Sequence, residues 1–253
     1  MRSCSVKPLA IIAGTGLYDF PGLENAEDLN MCNRWGEVSS AIRRGTVEGR
    51  QVCFMTRHGR NHKIPPHEIN YRANIQALHD LGCEDVIAIT AVGGINRGLK
   101  NADLAIPDQL IDYTWGRSST FFEKNLEDVV HVDFGEPYCP NLRDGLGQAA
   151  CKMGIQVPMQ MTYGATQGPR LETRAEIDRM ERDGCDLVGM TGMPEAVLAR
   201  ELGMNYANLS VVVNMAAGRS PGPITMDDIR LTLNDGMAKV TKLLKLYLMK
   251  NSA

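Results

Sequence analysis

The sequence predicts a single α/β domain, on three observations. Short apolar runs, most of them bounded by glycine, recur along the chain; helical patterns with their own start and stop signals lie between them; and no repeat, low-complexity linker or composition shift divides the 253 residues. The runs are LAIIAG (9–14), QVCFMT (51–56), DVIAITAVGG (85–94), DLAIPDQLIDY (103–113), CDLVGMT (185–191) and YANLSVVVN (206–214). Runs that are apolar on both faces suit strands covered by helices on either side. The segment 66–82 carries Ile69, Ala73, Leu78 and Leu81 near helical spacing and stops at Gly82. A second helix is expected over 173–184, with Thr173 as N-cap, Glu176 three residues on, and Gly184 as its stop. A third, 194–203, begins with Pro194 in its first turn. The last, 225–250, starts at a capping threonine and is amphipathic to its end.

Composition narrows the function classes. A net charge of −3 and a pI near 6.0 give no reason to expect a nucleic-acid or membrane surface, and no stretch is long enough to cross a bilayer. Seven cysteines, odd in number and never spaced C-x-x-C, argue against a disulfide framework and against a structural zinc site. A reducing cytoplasm is the expected location. Arg2 and Lys7 before an apolar run resemble a signal peptide, but Gly14-Thr15-Gly16 breaks the run at once, so a first buried strand is the expectation.

Several strand ends carry polar chemistry. Gly14, Thr15 and Gly16 follow the first strand, where glycines let an anion approach backbone N–H groups and the Thr15 hydroxyl can join them. A plain tight turn accounts for the same residues equally well, and Asp19 stands where a dinucleotide fingerprint needs its third glycine. Arg57, His58, Arg60, His62, Lys63 and His67 crowd the segment TRHGRNHKIPPHE (56–68). Clustered cations suit a phosphate, and the Gly59 and Pro65-Pro66 punctuation favours a fixed loop over a solvated one. Thr90 before Gly93-Gly94, and Met190-Thr191 before a helix, repeat the device. The stretch NLSVVVNMAAGRSPG (208–222) brings an apolar run to Asn214, beside Ala216, Ala217 and Gly218. In open α/β sheets ligands sit outside the carboxyl ends of the strands, which places Asn214 to read one.

The ordered set IIAGTG, TRHGRNH, NYRANIQAL, ITAVGGIN, GPRLETRAEI, VGMTGMPEAVLARELG and YANLSVVVN resembles the trimeric purine nucleoside phosphorylase and methylthioadenosine phosphorylase family, from about residue 9 to about 247. The overall texture is nearest the methylthioadenosine branch, notably in RHGRNH and DFGEPYCP. The resemblance implies one domain around a central mixed, partly barrel-like β-sheet flanked by helices. It also implies a homotrimer, no metal and no organic cofactor, with inorganic phosphate as co-substrate beside a small nucleoside. The phosphate ligands it implies are Thr15, Arg57, His58, Thr90, Ala91 (through its backbone) and Thr191. Met190 falls against the ribose, and His131 falls where a neighbouring subunit reaches the 5′ end of the nucleoside. Asn214 falls beside purine N7, with Arg57 and His58 as its catalytic companions at the phosphate.

The chain departs from the methylthioadenosine branch where it would read the base. Asn214-Met215-Ala216 stands in place of that branch's D-x-D pair, and Glu172 stands where 6-oxopurine enzymes accept from N1–H. A carboxylate repels O6, whereas an amide donates to O6 and accepts from a protonated N7. Met226 falls near where inosine phosphorylases place a histidine for the 5′-hydroxyl, and with Ile229 is expected to make an apolar wall instead, which suits a methylthio group. The expected reaction is phosphorolysis of S-methyl-5′-thioinosine to hypoxanthine and 5-methylthioribose 1-phosphate. The alternatives are a methylthioadenosine phosphorylase and a broad inosine/guanosine phosphorylase. Outside the class stand a nucleoside hydrolase and a non-catalytic nucleoside binder.

Overall fold

Successive residues of a strand leave for opposite faces, and in the central strands of this chain both sets are apolar. Ala10, Ile12, Cys53, Met55, Val86, Ala88 and Val212 enter one buried cluster, while Leu9, Ile11, Ala13, Val52, Phe54, Ile87, Ile89, Leu209 and Val211 enter another. A sheet with two apolar faces must be covered twice, and two pairs of helices do so, one pair entering each cluster. The computed structural model describes residues 7–124, 126–222 and 225–250, the side chains of Met226 and Lys250 excepted.

In chain order the strands are β1 (Leu9–Ala13), β2 (Glu24–Leu29), β3 (Cys32–Asn33), β4 (Gly36–Glu37), β5 (Ile42–Val47), β6 (Arg50–Thr56), β7 (Asp85–Gly94), β8 (Leu104–Ala105), β9 (Gln109–Asp112), β10 (Thr162–Ala165), β11 (Leu187–Gly189) and β12 (Asn205–Met215). The helices are α1 (Tyr71–Asp80), α2 (Pro140–Lys152), α3 (Arg174–Arg182), α4 (Gly192–Glu201) and α5 (Met226–Lys250). Ten strands form one mixed sheet, running β2-β5-β6-β1-β7-β11-β10-β9, with β12 added to β7 and β8 to β12. The single run expected over 103–113 is two strands separated by Pro107. That break closes the sheet on itself: β8 pairs with β12 while β9, four residues on, pairs with β10. The circuit β7-β11-β10-β9/β8-β12 is the partly barrel-like element, with β1, β6, β5 and β2 extending from it as an open sheet.

The expected helices are present with adjusted ends. The pattern over 66–82 divides into a 3-10 turn at Pro66–Glu68 and α1, whose Asn70 cap accepts from the Ala73 N–H at 3.1 Å. Thr173 and Glu176 cap α3 reciprocally, at 3.2 and 2.7 Å. In α4 the non-helical Met193 makes Pro194 the first regular helical residue. Helix α2 has no counterpart among the expected elements, because Gly145 and Gly147 dilute its pattern of Leu142, Leu146, Ala149 and Ala150. Gly145 serves packing: a Cβ there would lie 2.7 Å from the Tyr247 ring on α5.

The close seating of α5 on β12 also depends on a glycine. A Cβ at Gly236 would lie 2.3 Å from Val211 Cγ1, on a side chain with no exposure. Alanine in a helix gains up to about 1 kcal/mol over glycine, but overpacking a filled core costs about 1–3 kcal/mol. Gly236→Ala is therefore expected to lower unfolding stability by about 1 kcal/mol or more, as read by urea denaturation.

Candidate active site

The parallel strands β1, β6, β7 and β12 point their carboxyl ends at one cavity of about 370 Å³. It is lined by Thr15, Arg57, His58, Thr90, Ala91, Thr191, Met190, Asn214, Ala216, Glu172 and Ile229, eleven of the thirteen residues singled out from the sequence. The remaining two are placed elsewhere or undescribed. His131 is exposed in the irregular segment between β9 and α2 and does not line the cavity. The side chain of Met226 lies outside the described residues; of the two residues expected to form an apolar wall, Ile229 lines the cavity.

The cavity lies where strand pairing runs out. Strand β1 pairs with β7 only as far as Ala88, and β11 takes up the same strand at Gly93. Residues 89–92 of β7 thus have no strand partner on that edge, which leaves the backbone of Ala91 facing the cavity. On the other edge the pairing of β12 slips at Val213, so that Val212 faces Val92 but Asn214 faces Gly93. Such an irregularity re-aims a side chain beside a site, and here Val213 and Asn214 both reach the cavity. The Asn214 amide donates to the Met215 carbonyl at 2.9 Å. That fixes which atom is nitrogen and leaves Oδ1 and one N–H to present.

Arg57 is placed differently from the free guanidinium that the sequence leads one to expect. Its side chain has 0% exposure and forms a two-pronged ion pair with Glu195, itself 1% exposed: Nε and Nη2 each lie 2.9 Å from a carboxylate oxygen. Nη1 donates to the Ile89 carbonyl at 2.6 Å and Nη2 to the Ile12 carbonyl at 3.2 Å. Four of its five N–H groups are thus taken, leaving one on Nη1, which lies against Gly14. A Cβ at Gly14 would come within 2.8 Å of Nη1. Burial opposes the Arg57 charge, and the Glu195 carboxylate more than offsets it, so its pKa is raised. Tyr206 Oη donates to the same carboxylate at 2.9 Å. Burial, followed by the Glu195 charge, raises the Tyr206 pKa well above its ordinary value.

Thr90 also turns inward. Its hydroxyl lies 3.0 Å from both Asn208 Oδ1 and Ser210 Oγ, a buried polar triad between β7 and β12. Thr15 keeps only a 3.5 Å contact to His62 Nε2. Thr191 occupies the N-cap position of α4 without using its hydroxyl to cap, beside the N–H-rich end of that helix.

His58 Nδ1 lies 2.8 Å from the Ile64 carbonyl and so carries the proton, which turns Nε2 away as a lone pair when the ring is neutral. Burial pushes its pKa down to about 4, with the neighbouring charges of Arg57 and His62 adding to the shift and the Ile64 bond opposing it. The His62 ring lies against it, tilted by 45° with 4.6 Å between centroids, and its pKa is likewise lowered by burial.

Glu172 is held by Thr166, whose hydroxyl donates to Oε1 at 2.7 Å. Arg117 holds the opposite wall. It donates to the carbonyls of Met190 at 2.8 Å, Met193 at 2.6 Å and Gln167 at 2.8 Å, joining the loops after β10 and β11. No sequence signal marks Arg117, a lone arginine in a polar loop. Glu195 did have a signal, as the one acid in the apolar stretch PEAVLA (194–199). Among the described residues no group of three or more His, Cys, Asp or Glu is arranged to hold a metal ion.

A family model described as the phosphorylase superfamily matches residues 8–248. A protein of Pseudomonas syringae pv. tomato named probable S-methyl-5′-thioinosine phosphorylase is 51% identical over 231 residues, 91% of this chain and 94% of the relative. The 6-oxopurine nucleoside phosphorylase of Pyrococcus furiosus is 44% identical over 241 residues, 93% and 90% of the two chains. Among solved structures, the methylthioadenosine phosphorylase of Schistosoma mansoni in complex with adenine superposes with a TM-score of 0.93 at 30% identity, covering 97% of this chain and 92% of that one.

Removing one partner of a buried ion pair costs about 3–5 kcal/mol. Glu195→Ala is expected to destabilise the fold by that amount in urea denaturation, whereas an exposed ion pair such as Arg230 with Asp227 is expected to be near-neutral on truncation. The low His58 pKa has its own consequence. Between its ordinary 6.5 and about 4 the unfolded chain binds a proton that the native imidazole refuses. Stability should therefore fall as pH drops through that window and this contribution should level off below it. The full effect is up to about 3 kcal/mol. Denaturation of the ligand-free protein at pH 7.5 and 4.5 checks this, with His58→Asn expected to flatten the dependence.

Proposed function

This chain belongs to the phosphorylase superfamily, and from that premise we propose that its reaction is phosphorolysis of S-methyl-5′-thioinosine, with inorganic phosphate as co-substrate. It is an enzyme of the purine nucleoside phosphorylase type, a pentosyltransferase. The observation that carries the choice of base is the pair Asn214 and Glu172, both lining the one cavity, with the small Ala216 beside them. Relatives named for a thioinosine and for 6-oxopurine nucleosides, at 51% and 44% identity, support the same choice.

Phosphate lies at the Thr15, His58 and Thr191 end, under C1′ of the ribose, with the Ala91 backbone on the open edge of β7. Arg57 supplies its remaining Nη1 hydrogen from behind. Thr90 acts through the inward triad that fixes β7 against β12. A phosphate oxygen forms the bond to C1′ as the bond from C1′ to N9 breaks, through an oxocarbenium-like state. The electron pair passes to the purine, which takes a proton at N7 from solvent water. Asn214 Oδ1 accepts from that N7–H and the free amide N–H meets O6, while Glu172 accepts from N1–H. Met190, fixed through its carbonyl by Arg117, packs against the ribose. Ile229, with Met226, faces the methylthio group.

The assembly proposed is a homotrimer acting in the cytoplasm. The segment before His131 supports a subunit contact: Leu126, Val129 and Val130 are exposed, Val129 to 74%, and Trp115 is exposed to 72%. His131 then reaches the 5′ end of a neighbour's nucleoside.

Phosphate-dependent cleavage of methylthioinosine, methylthioadenosine and inosine, followed side by side by purine absorbance, tests the reading. Methylthioinosine is expected to have the highest kcat/KM, and a preference for methylthioadenosine would overturn the role given to Asn214. Asn214→Asp combined with Ala216→Asp should move the 6-oxo to 6-amino ratio by about 100-fold toward the amino substrate, the scale of a buried hydrogen-bond mismatch.

A further inference from the structure

The walls of the cavity offer an entering anion little net positive charge. Five ionisable side chains line it: Arg57, His58, His62, Lys63 and Glu172. The Arg57 charge is matched at contact distance by Glu195. The two histidine rings lie against each other at 4.6 Å, and burial favours the neutral form of each. Glu172 brings a carboxylate. Without Lys63 the lining carries no uncompensated cation for a phosphate that arrives with one or two negative charges.

Lys63 is set to supply it. Its neighbours on both sides are bound into the anion end: His62 against Thr15 and the His58 ring, and Ile64 through its carbonyl to His58 Nδ1. The loop that carries it is closed by backbone bonds from Gly59 to Thr56 at 3.2 Å, His62 to Gly59 at 3.1 Å and Ile64 to His58 at 3.1 Å. Gly59 and His62 take φ of +76° and +51° to make those turns, and Pro65-Pro66 stiffens the exit. The other cations of the loop are turned elsewhere, Arg60 to Asp28 and His67 toward Glu68. Lys63 alone reaches the cavity as an exposed ammonium, with no hydrogen bond or ion pair among the described residues.

We propose that Lys63 is the phosphate-recruiting residue of this site: it attracts the co-substrate electrostatically and holds an outward-facing oxygen once the fixed donors have taken the others. The proposal rests on the phosphorolysis read above. A lysine is suited to the task, since its ammonium is a compact charge on a flexible stem and can follow an ion entering and leaving. In this arrangement Lys63 governs phosphate affinity, while the fixed donors, the hydroxyls of Thr15 and Thr191 among them, govern its alignment with C1′.

Steady-state kinetics of the full-length protein, with methylthioinosine saturating and inorganic phosphate varied, test the assignment. Lys63→Gln is expected to raise KM for phosphate about tenfold, the scale of losing one partly solvated charge contact. It should lower kcat by no more than about threefold and leave KM for the nucleoside nearly unmoved. Lys63→Glu should raise the phosphate KM further, and Lys63→Arg should restore most of the affinity. Added potassium chloride should narrow the gap between parent and Lys63→Gln, because screening shortens the reach of the charge. A phosphate KM in Lys63→Gln equal to that of a phosphate-dependent parent overturns the inference alone. So does a rise shared equally by the nucleoside KM. A parent that cleaves the nucleoside equally well without phosphate overturns the phosphorolysis reading, and the inference with it.

Discussion

The Arg57–Glu195 ion pair is the contact on which the rest of the site depends. Placing two charges at 0% and 1% exposure carries a large desolvation penalty. The protein offsets it with a two-pronged contact, two carbonyls on the guanidinium and a tyrosine hydroxyl on the carboxylate. Each partner comes from a different element: Ile12 from β1, Arg57 from the end of β6, Ile89 from β7, Glu195 from α4 and Tyr206 from β12. Those same elements deliver Thr15, His58, Thr90 with Ala91, Thr191 and Asn214. One buried pair therefore sets the relative positions of five chain segments whose ends make the cavity floor. A network this fully satisfied rigidifies, and a half-satisfied one would be worse than an apolar core.

Rigidity at the floor contrasts with the unpaired backbone above it. The open edge of β7 between Ala88 and Gly93, and the slip in β12 at Val213, are places where the sheet gives up hydrogen bonds. Unmade backbone bonds are costly when dry, so a groove lined with them stays wet or holds a polar ligand. Water must then be displaced by something with oxygens of its own, which is what phosphate and a ribose provide. Arg117 works on the far wall in the same sense, by gathering the carbonyls of Met190, Met193 and Gln167 that the loops would otherwise leave to solvent.

Much of this was legible from residues alone, and the parts that were not share a cause. Strand-end chemistry at Thr15, His58, Ala91, Thr191 and Asn214 reads directly, because a parallel strand aims whatever follows it at one end of the sheet. Partnership across the fold does not read. TRHGRNH identifies Arg57 as a cation but not the Glu195 that engages it from 138 residues away. The sequence equally hides the turning of Thr90 toward Asn208 and Ser210, since strand alternation only becomes a contact once β7 and β12 are known to pair. Polar edge strands such as β2, ENAEDL, carry no apolar run to announce them. Helix α2 was masked by Gly145, which makes room for Tyr247 of α5, and by Gly147, which makes room for Met159. The 103–113 segment shows the opposite case: Pro107 was visible, and its meaning, a change of sheet partner, was not.

In the proposed reaction, the choice of base follows from how the two groups assigned to read it are held. Asn214 has one N–H tied to the Met215 carbonyl, and Glu172 has one oxygen tied to the Thr166 hydroxyl, so neither is free to turn and accommodate an ill-matched base. A 6-oxopurine presents O6 to an amide N–H, and N1–H to a carboxylate, and every polar atom finds a complement. Adenine reverses both edges. Its N1 is an acceptor and would face the Glu172 carboxylate, while its 6-amino group would meet an amide already spending its oxygen on N7 and, at 216, a methyl group in place of an acceptor. Two mismatches at a buried edge outweigh anything that apolar contacts along the ribose could return. The overall likeness to a methylthioadenosine phosphorylase describes the scaffold; the proposed reading leaves the choice of base to an amide, a carboxylate and the neighbours that lock them.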